Sequence, residues 1–80
     1  IFEIGRIYER QKNYTDALQQ YSRIIYRILD NPELYTQTGI QIGIKAYINF
    51  EKIEKSAGNY ERVNLLYNRI READVPNFNP

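Results

Sequence analysis

The chain has no cysteine, no histidine and no methionine, and it spends only four glycines and three prolines over 80 residues. Without cysteine there is no disulfide framework and no thiolate zinc site. Without histidine or cysteine, the commonest general base and the commonest activated nucleophile are both missing. Ser22 and Ser56 lack the sequence setting of a nucleophile elbow, and no glycine-rich phosphate loop is present. Glu51 and Glu54 are a pair of acids on one helix, where glycosidase chemistry needs carboxylates that converge in a cleft, so both read as exposed helix surface. An excess of one charge is lacking too. Eleven basic residues against 10 acidic ones leave a net charge of +1, too balanced to argue for nucleic acid or a membrane as the main partner. The longest apolar run, Ile24-Ile25-Tyr26, is far shorter than a membrane span. These absences predict a non-catalytic protein with no cofactor and no metal, and they lean towards the cytoplasm. The start at Ile1 and the lack of methionine further suggest a piece of a longer protein. Abundant Ile, Asn and Tyr suggest a low-GC genome.

What is there is a repetition. Lys12-Asn13-Tyr14-Thr15-Asp16-Ala17-Leu18-Gln19-Gln20-Tyr21 returns 46 residues later as Gly58-Asn59-Tyr60-Glu61-Arg62-Val63-Asn64-Leu65-Leu66-Tyr67. Asn, Tyr and Tyr recur at the same spacing, Ala17 is matched by Val63, and Arg23-Ile24 by Arg69-Ile70. A repeat of this length points to stacked supersecondary units, which more often build binding surfaces than active sites.

Helical periodicity runs through the whole chain, and no strand-like alternation interrupts it. A first helix to about Gln11 carries Ile1, Phe2, Ile4, Ile7 and Tyr8, with Gly5 inside it to let a neighbouring helix come close. Lys12-Asn13 reads as a turn in which Asn takes unusual backbone angles or caps a helix. A second helix from about Tyr14 to Asp30 shows an apolar stripe of Ala17, Leu18, Tyr21, Ile24, Ile25 and Ile28. Asn31-Pro32-Glu33 predicts a cap and the start of a third helix, extending to about Ser56. Its inward side is expected to hold Ile42, Ala46, Phe50, Ile53 and Ala57, widened by Ile40, Ile44 and Tyr47. Gly39 and Gly43 share a face, leaving a groove for another helix and a place to kink. Gly58 should stop the helix in a left-handed conformation. A fourth helix from about Tyr60 to Ala73 points Val63, Leu66, Tyr67 and Ile70 inward, and Val75-Pro76 ends it. Short turns make neighbouring helices antiparallel, so the fold class is all-α, with two helical hairpins.

These residues resemble the tetratricopeptide repeat. That family's pattern places an apolar residue before Gly, an aromatic three further on, then a small residue and a second aromatic. Ile4-Gly5, Tyr8, Ala17 and Tyr21 fit it throughout. The second unit keeps Tyr60, Val63 and Tyr67, but Phe50-Glu51 and Glu54 depart from it, and the spacing exceeds the family's roughly 34 residues. The resemblance implies a short solenoid: a domain over 1–76, with repeat one at about 1–30, repeat two at about 32–74, and 77–80 a linker or the edge of a next unit. It implies repeat packing through Gly5, Tyr8, Ala17, Tyr21, Val63 and Tyr67, with Tyr14 and Tyr60 between repeats. The long, degenerate form is also similar to peptide-sensing regulators of low-GC Gram-positive bacteria, the Rap, PlcR and Rgg families.

Such a module binds proteins or peptides. On the third helix, Gln41, Lys45, Asn49, Lys52 and Ser56 share one face, a polar, basic stripe able to hold a carboxylate or the backbone of an extended peptide. Where the family clamps peptide ends with basic residues, the resemblance implies Lys45, Asn49 and Lys52 in the second unit, and Phe2, Arg6, Glu9 and Arg10 in the first. The candidate peptide-binding residues are therefore Arg6, Arg10, Gln41, Lys45, Asn49 and Lys52. Tyr26 and Tyr35, beside the inter-repeat turn, are candidates for a partner surface. Arg23, Arg27, Arg62, Arg69 and Arg71 make the even-numbered helices basic without the interleaved aromatics of an RNA-binding pattern. The expected partners are a protein or peptide and a second copy or further repeats. The alternatives are a peptide-sensing domain of a transcriptional regulator and an RNA-processing scaffold.

Overall fold

The computed structural model describes residues 2–80 and contains four α-helices: α1 (Phe2–Arg10), α2 (Tyr14–Asp30), α3 (Gln37–Ser56) and α4 (Tyr60–Ala73). Each packs on the next in chain order as stacked hairpins, most extensively where α2 meets α1 and α3, and least where α3 meets α4. No strand occurs among the described residues. Ile1, expected on the first helix, lies outside them.

The internal repeat is visible in the backbone. The amide of Asn13 donates to the Tyr8 carbonyl at 2.8 Å, and that of Lys12 to Glu9 at 3.0 Å. Forty-six residues on, Asn59 donates to Glu54 at 2.8 Å and Gly58 to Lys55 at 3.0 Å. This is the Schellman pattern, which satisfies the last carbonyls of a helix and requires a left-handed residue at its centre. Gly58 takes that place with φ +80°, as the sequence predicts. In the first turn the left-handed residue is Lys12, with φ 61°. Asn13, expected to take unusual backbone angles or to cap a helix, has φ −89° and holds the N-cap place of α2 without a side-chain cap hydrogen bond.

The third helix begins later than expected. Pro32–Leu34 forms a single 3-10 turn, Tyr35 is extended, and Thr36 caps α3 by accepting from the Gly39 amide at 3.2 Å. The hydroxyl of Thr36 supplies a partner for an otherwise orphaned amide, so the helix starts there rather than at Pro32. From Gln37 to Ser56 it runs as one unbroken helix through both glycines.

The core is built around α2. Ala17, Tyr21 and Ile25 are fully buried, with Ile28 beside them. Gly5 lets α1 lie directly on Tyr21: a Cβ there would come within 2.7 Å of the ring. Gly43 does the same for α3, where a Cβ would meet Ile28 Cδ1 at 2.5 Å and Phe78 Cε2 at 2.9 Å. The buried side of α3 is Ile40, Gly43, Ala46, Tyr47, Phe50 and Glu54. The expected side is therefore rotated: Ile42 and Ala57 are exposed, while Tyr47, expected only to widen it, is buried.

α4 contributes Val63, Leu66 and Ile70. Tyr67, expected inside, is 39% exposed, with Tyr47 near one side of its ring and the Arg71 guanidinium 5.9 Å from its centre. Tyr14 and Tyr60 are also exposed rather than packed between repeats, and Tyr8 is half-buried. After Ala73 the chain turns at left-handed Asp74. The Phe78 amide bonds the Val75 carbonyl at 3.1 Å, and Asn77 has φ 66°. Pro76 and Asn77 thus hold the two central places of a type II turn. Stretch 77–80, read from sequence as a linker or edge, puts Phe78 into the core against Gly43.

Candidate functional site

α1 and α3 flank a common groove of about 770 Å³. Five of the six candidate binding residues line it: Arg6 and Arg10 from α1, and Lys45, Asn49 and Lys52 from α3. They converge because each set repeats every three or four positions, so it occupies one face of its helix. Gln41 is exposed on the same helix, one turn before Lys45, and lies outside the groove. Ser56 belongs to a neighbouring hollow beside Tyr14 and Asn59.

The floor is a hydrogen-bonded chain. The Tyr21 hydroxyl donates to Glu9 Oε1 at 2.7 Å, and Asn49 Nδ2 donates to the Tyr21 oxygen at 3.4 Å. One tyrosine of α2 therefore fixes a side chain on each wall. Burial pushes the Tyr21 hydroxyl up to about 12, helped by the bond to Glu9 and opposed by the bond from Asn49. Phe2 packs on the same ring, centroids 5.8 Å apart.

The walls are mixed in character. Four cations stand against two carboxylates, Glu3 and Glu9, and the latter is already bound by Tyr21. Phe2, Ile42 and Ile48 add apolar surface. Ile42 and Ile48 were not among the expected site residues, because the periodicity of α3 placed Ile42 inward. The ion pairs of the described residues, Lys55–Glu51 at 3.6 Å and Arg62–Glu54 at 3.7 Å, lie outside the groove.

Glu54 corrects an expectation. It is 2% exposed, not a surface acid. Its carboxylate accepts from Asn59 Nδ2 at 3.1 Å and faces Arg62, tying the end of α3 to the start of α4. Glu51 is half-buried and accepts from the Tyr47 hydroxyl at 3.4 Å. Tyr26 lies under the guanidinium of Arg69 at 5.7 Å, linking α2 to α4, and Tyr35 packs over Gly39.

No protein-family model matches the chain, and no curated protein or solved structure matches it either. No described helix is long and apolar enough to cross a membrane.

Proposed function

We propose that this chain is a non-catalytic, tetratricopeptide-like binding module, and that the groove between α1 and α3 holds an extended acidic segment of another protein. The observation that carries the reading is the convergence of Arg6, Arg10, Lys45 and Lys52 around Asn49, interleaved with Phe2, Ile42 and Ile48. The cations suit carboxylates, and Asn49 offers both a donor and an acceptor for a peptide backbone. The apolar side chains contribute contacts that salt does not screen.

The test is titration of the protein with extended peptides of graded acidity, followed by nuclear magnetic resonance. Acidic peptides should shift the signals of Lys45, Asn49 and Arg6, with affinity falling as salt rises. Lys45→Glu combined with Lys52→Glu should leave helicity intact and abolish that binding. Unchanged affinity would reduce the stripe to a solvated helix face. Under the regulatory reading, a signalling peptide would occupy the same groove and shift an attached domain.

A further inference from the structure

The outer face of α1 carries Ile4 and Ile7, 45% and 47% exposed. The 46-residue repeat identifies their counterparts as Phe50 and Ile53. Phe50 belongs to the core, Ile53 packs against it, and Ile53 shares a hollow with Tyr14 and Leu18 of α2. Ile4 and Ile7 thus occupy a face that, in the second unit, packs on a neighbouring helix. The other end of the stack is more polar, although Tyr60 and Tyr67 of α4 are 58% and 39% exposed. The α2 residues Leu18, Ile25 and Ile28 correspond to Asn64, Arg71 and Asp74 of α4, all exposed and polar. Head-to-tail stacking of copies, α4 on α1, would therefore set the Ile4–Ile7 face on a mostly polar one.

We propose that α1 pairs with α1 of a second copy, antiparallel about a two-fold axis. Charge complementarity supports this arrangement over a parallel one. Glu3 and Arg10 are both exposed and stand two turns apart on the same flank of the helix, beside the Ile4–Ile7 seam. An antiparallel two-fold pair keeps that flank on one side of the seam and sets Glu3 of one copy opposite Arg10 of the other at both ends, whereas a parallel pair sends the two flanks to opposite sides and leaves these charges unpaired with one another. The interface is the length of one nine-residue helix, so the dimer is weak and dissociates on dilution.

Sedimentation of the 80-residue protein over a range of concentrations, without peptide, tests the proposal. A monomer–dimer equilibrium is expected. Ile7→Glu should give monomer at every concentration with its helical circular dichroism retained. Arg10→Glu alone and Glu3→Arg alone should each weaken the dimer at least several-fold, and the two together should restore it. Because the chain has no native cysteine, Ile7→Cys provides a second readout if Ile7→Glu fails to fold: it should oxidise to a covalent dimer, while Leu65→Cys on α4 should not. A protein that stays monomeric, one that grows beyond dimer, or a charge swap that fails to restore association overturns the proposal. Glu3 and Arg10 also border the groove, so association is measured without peptide and the groove is tested separately at Lys45 and Lys52 of α3.

Discussion

Lys12 and Gly58 stand at the same point of two equivalent turns, both left-handed, and only one of them is glycine. A left-handed conformation costs a side-chain-bearing residue about 1–2 kcal/mol, while glycine costs about 0.4–1 kcal/mol through the greater freedom of the unfolded chain. Strain is the larger of the two. Lys12→Gly should therefore stabilise the protein by roughly 0.5 kcal/mol. No atom outside its immediate neighbours lies within 4 Å of a Cβ built on Gly58, so Gly58→Ala should destabilise by a similar amount through backbone strain alone. Urea midpoints of the two variants should move in opposite directions.

Gly43 and Phe78 form one joint. Gly43→Ala gains about 1 kcal/mol of helix propensity, but its methyl would press on Ile28 and Phe78, both nearly inaccessible to solvent. Overpacking of this kind costs about 1–3 kcal/mol, so a net loss of about 1 kcal/mol is expected. Phe78→Ala should cost about 3 kcal/mol by opening a cavity. The double variant should be more stable than the sum of the two losses, because removing the ring makes room for the methyl. Strict additivity in thermal or urea melts would mean that the tail does not sit on Gly43.

Ala17 has no exposed surface and corresponds to Val63 in the second unit. Ala17→Glu would bury a charge with no partner, a loss of several kcal/mol against the 5–15 kcal/mol that holds a typical domain. The helical circular dichroism signal should collapse. A folded Ala17→Glu protein would contradict the placement of α2 at the centre of the core.

Much of this fold is legible from spacing. Tyr14–Asp30 and Tyr60–Ala73 follow from periodicity and from the turns on either side of them. The late start of α3 escaped because Pro32 after Asn31 is a strong start signal, whereas the effective cap is Thr36, one hydroxyl inside a polar stretch. The rotated face of α3 has a related cause. Its centre is Gly43, which adds nothing to an apolar stripe, so the visible isoleucines pulled the expected side towards Ile42. The groove was legible wherever charge repeats along one helix, as at Lys45, Asn49 and Lys52. Its floor was not, because the link from Glu9 through Tyr21 to Asn49 joins three helices. The burial of Glu54 and Phe78 is likewise set by distant contacts rather than by their neighbours in sequence.

The last prediction concerns alkaline pH. Burial pushes both the Tyr21 and Tyr47 hydroxyls up to about 12, and each donates to a carboxylate, Glu9 or Glu51, which requires the proton to stay. In the unfolded chain both titrate near their ordinary value of about 10. Above that pH the unfolded state has released protons that the folded state still holds, so stability falls as pH rises. The contribution is complete below about pH 10 and is lost progressively between there and about 12, on the order of 1–3 kcal/mol for each tyrosine. Tyrosinate absorbance of the folded protein should show Tyr21 and Tyr47 titrating late. The variant carrying Tyr21→Phe and Tyr47→Phe is the control. It should be less stable near neutrality yet lose less stability over the same pH interval. If wild type and variant decline in parallel, the two phenols are not what the alkaline limb reports.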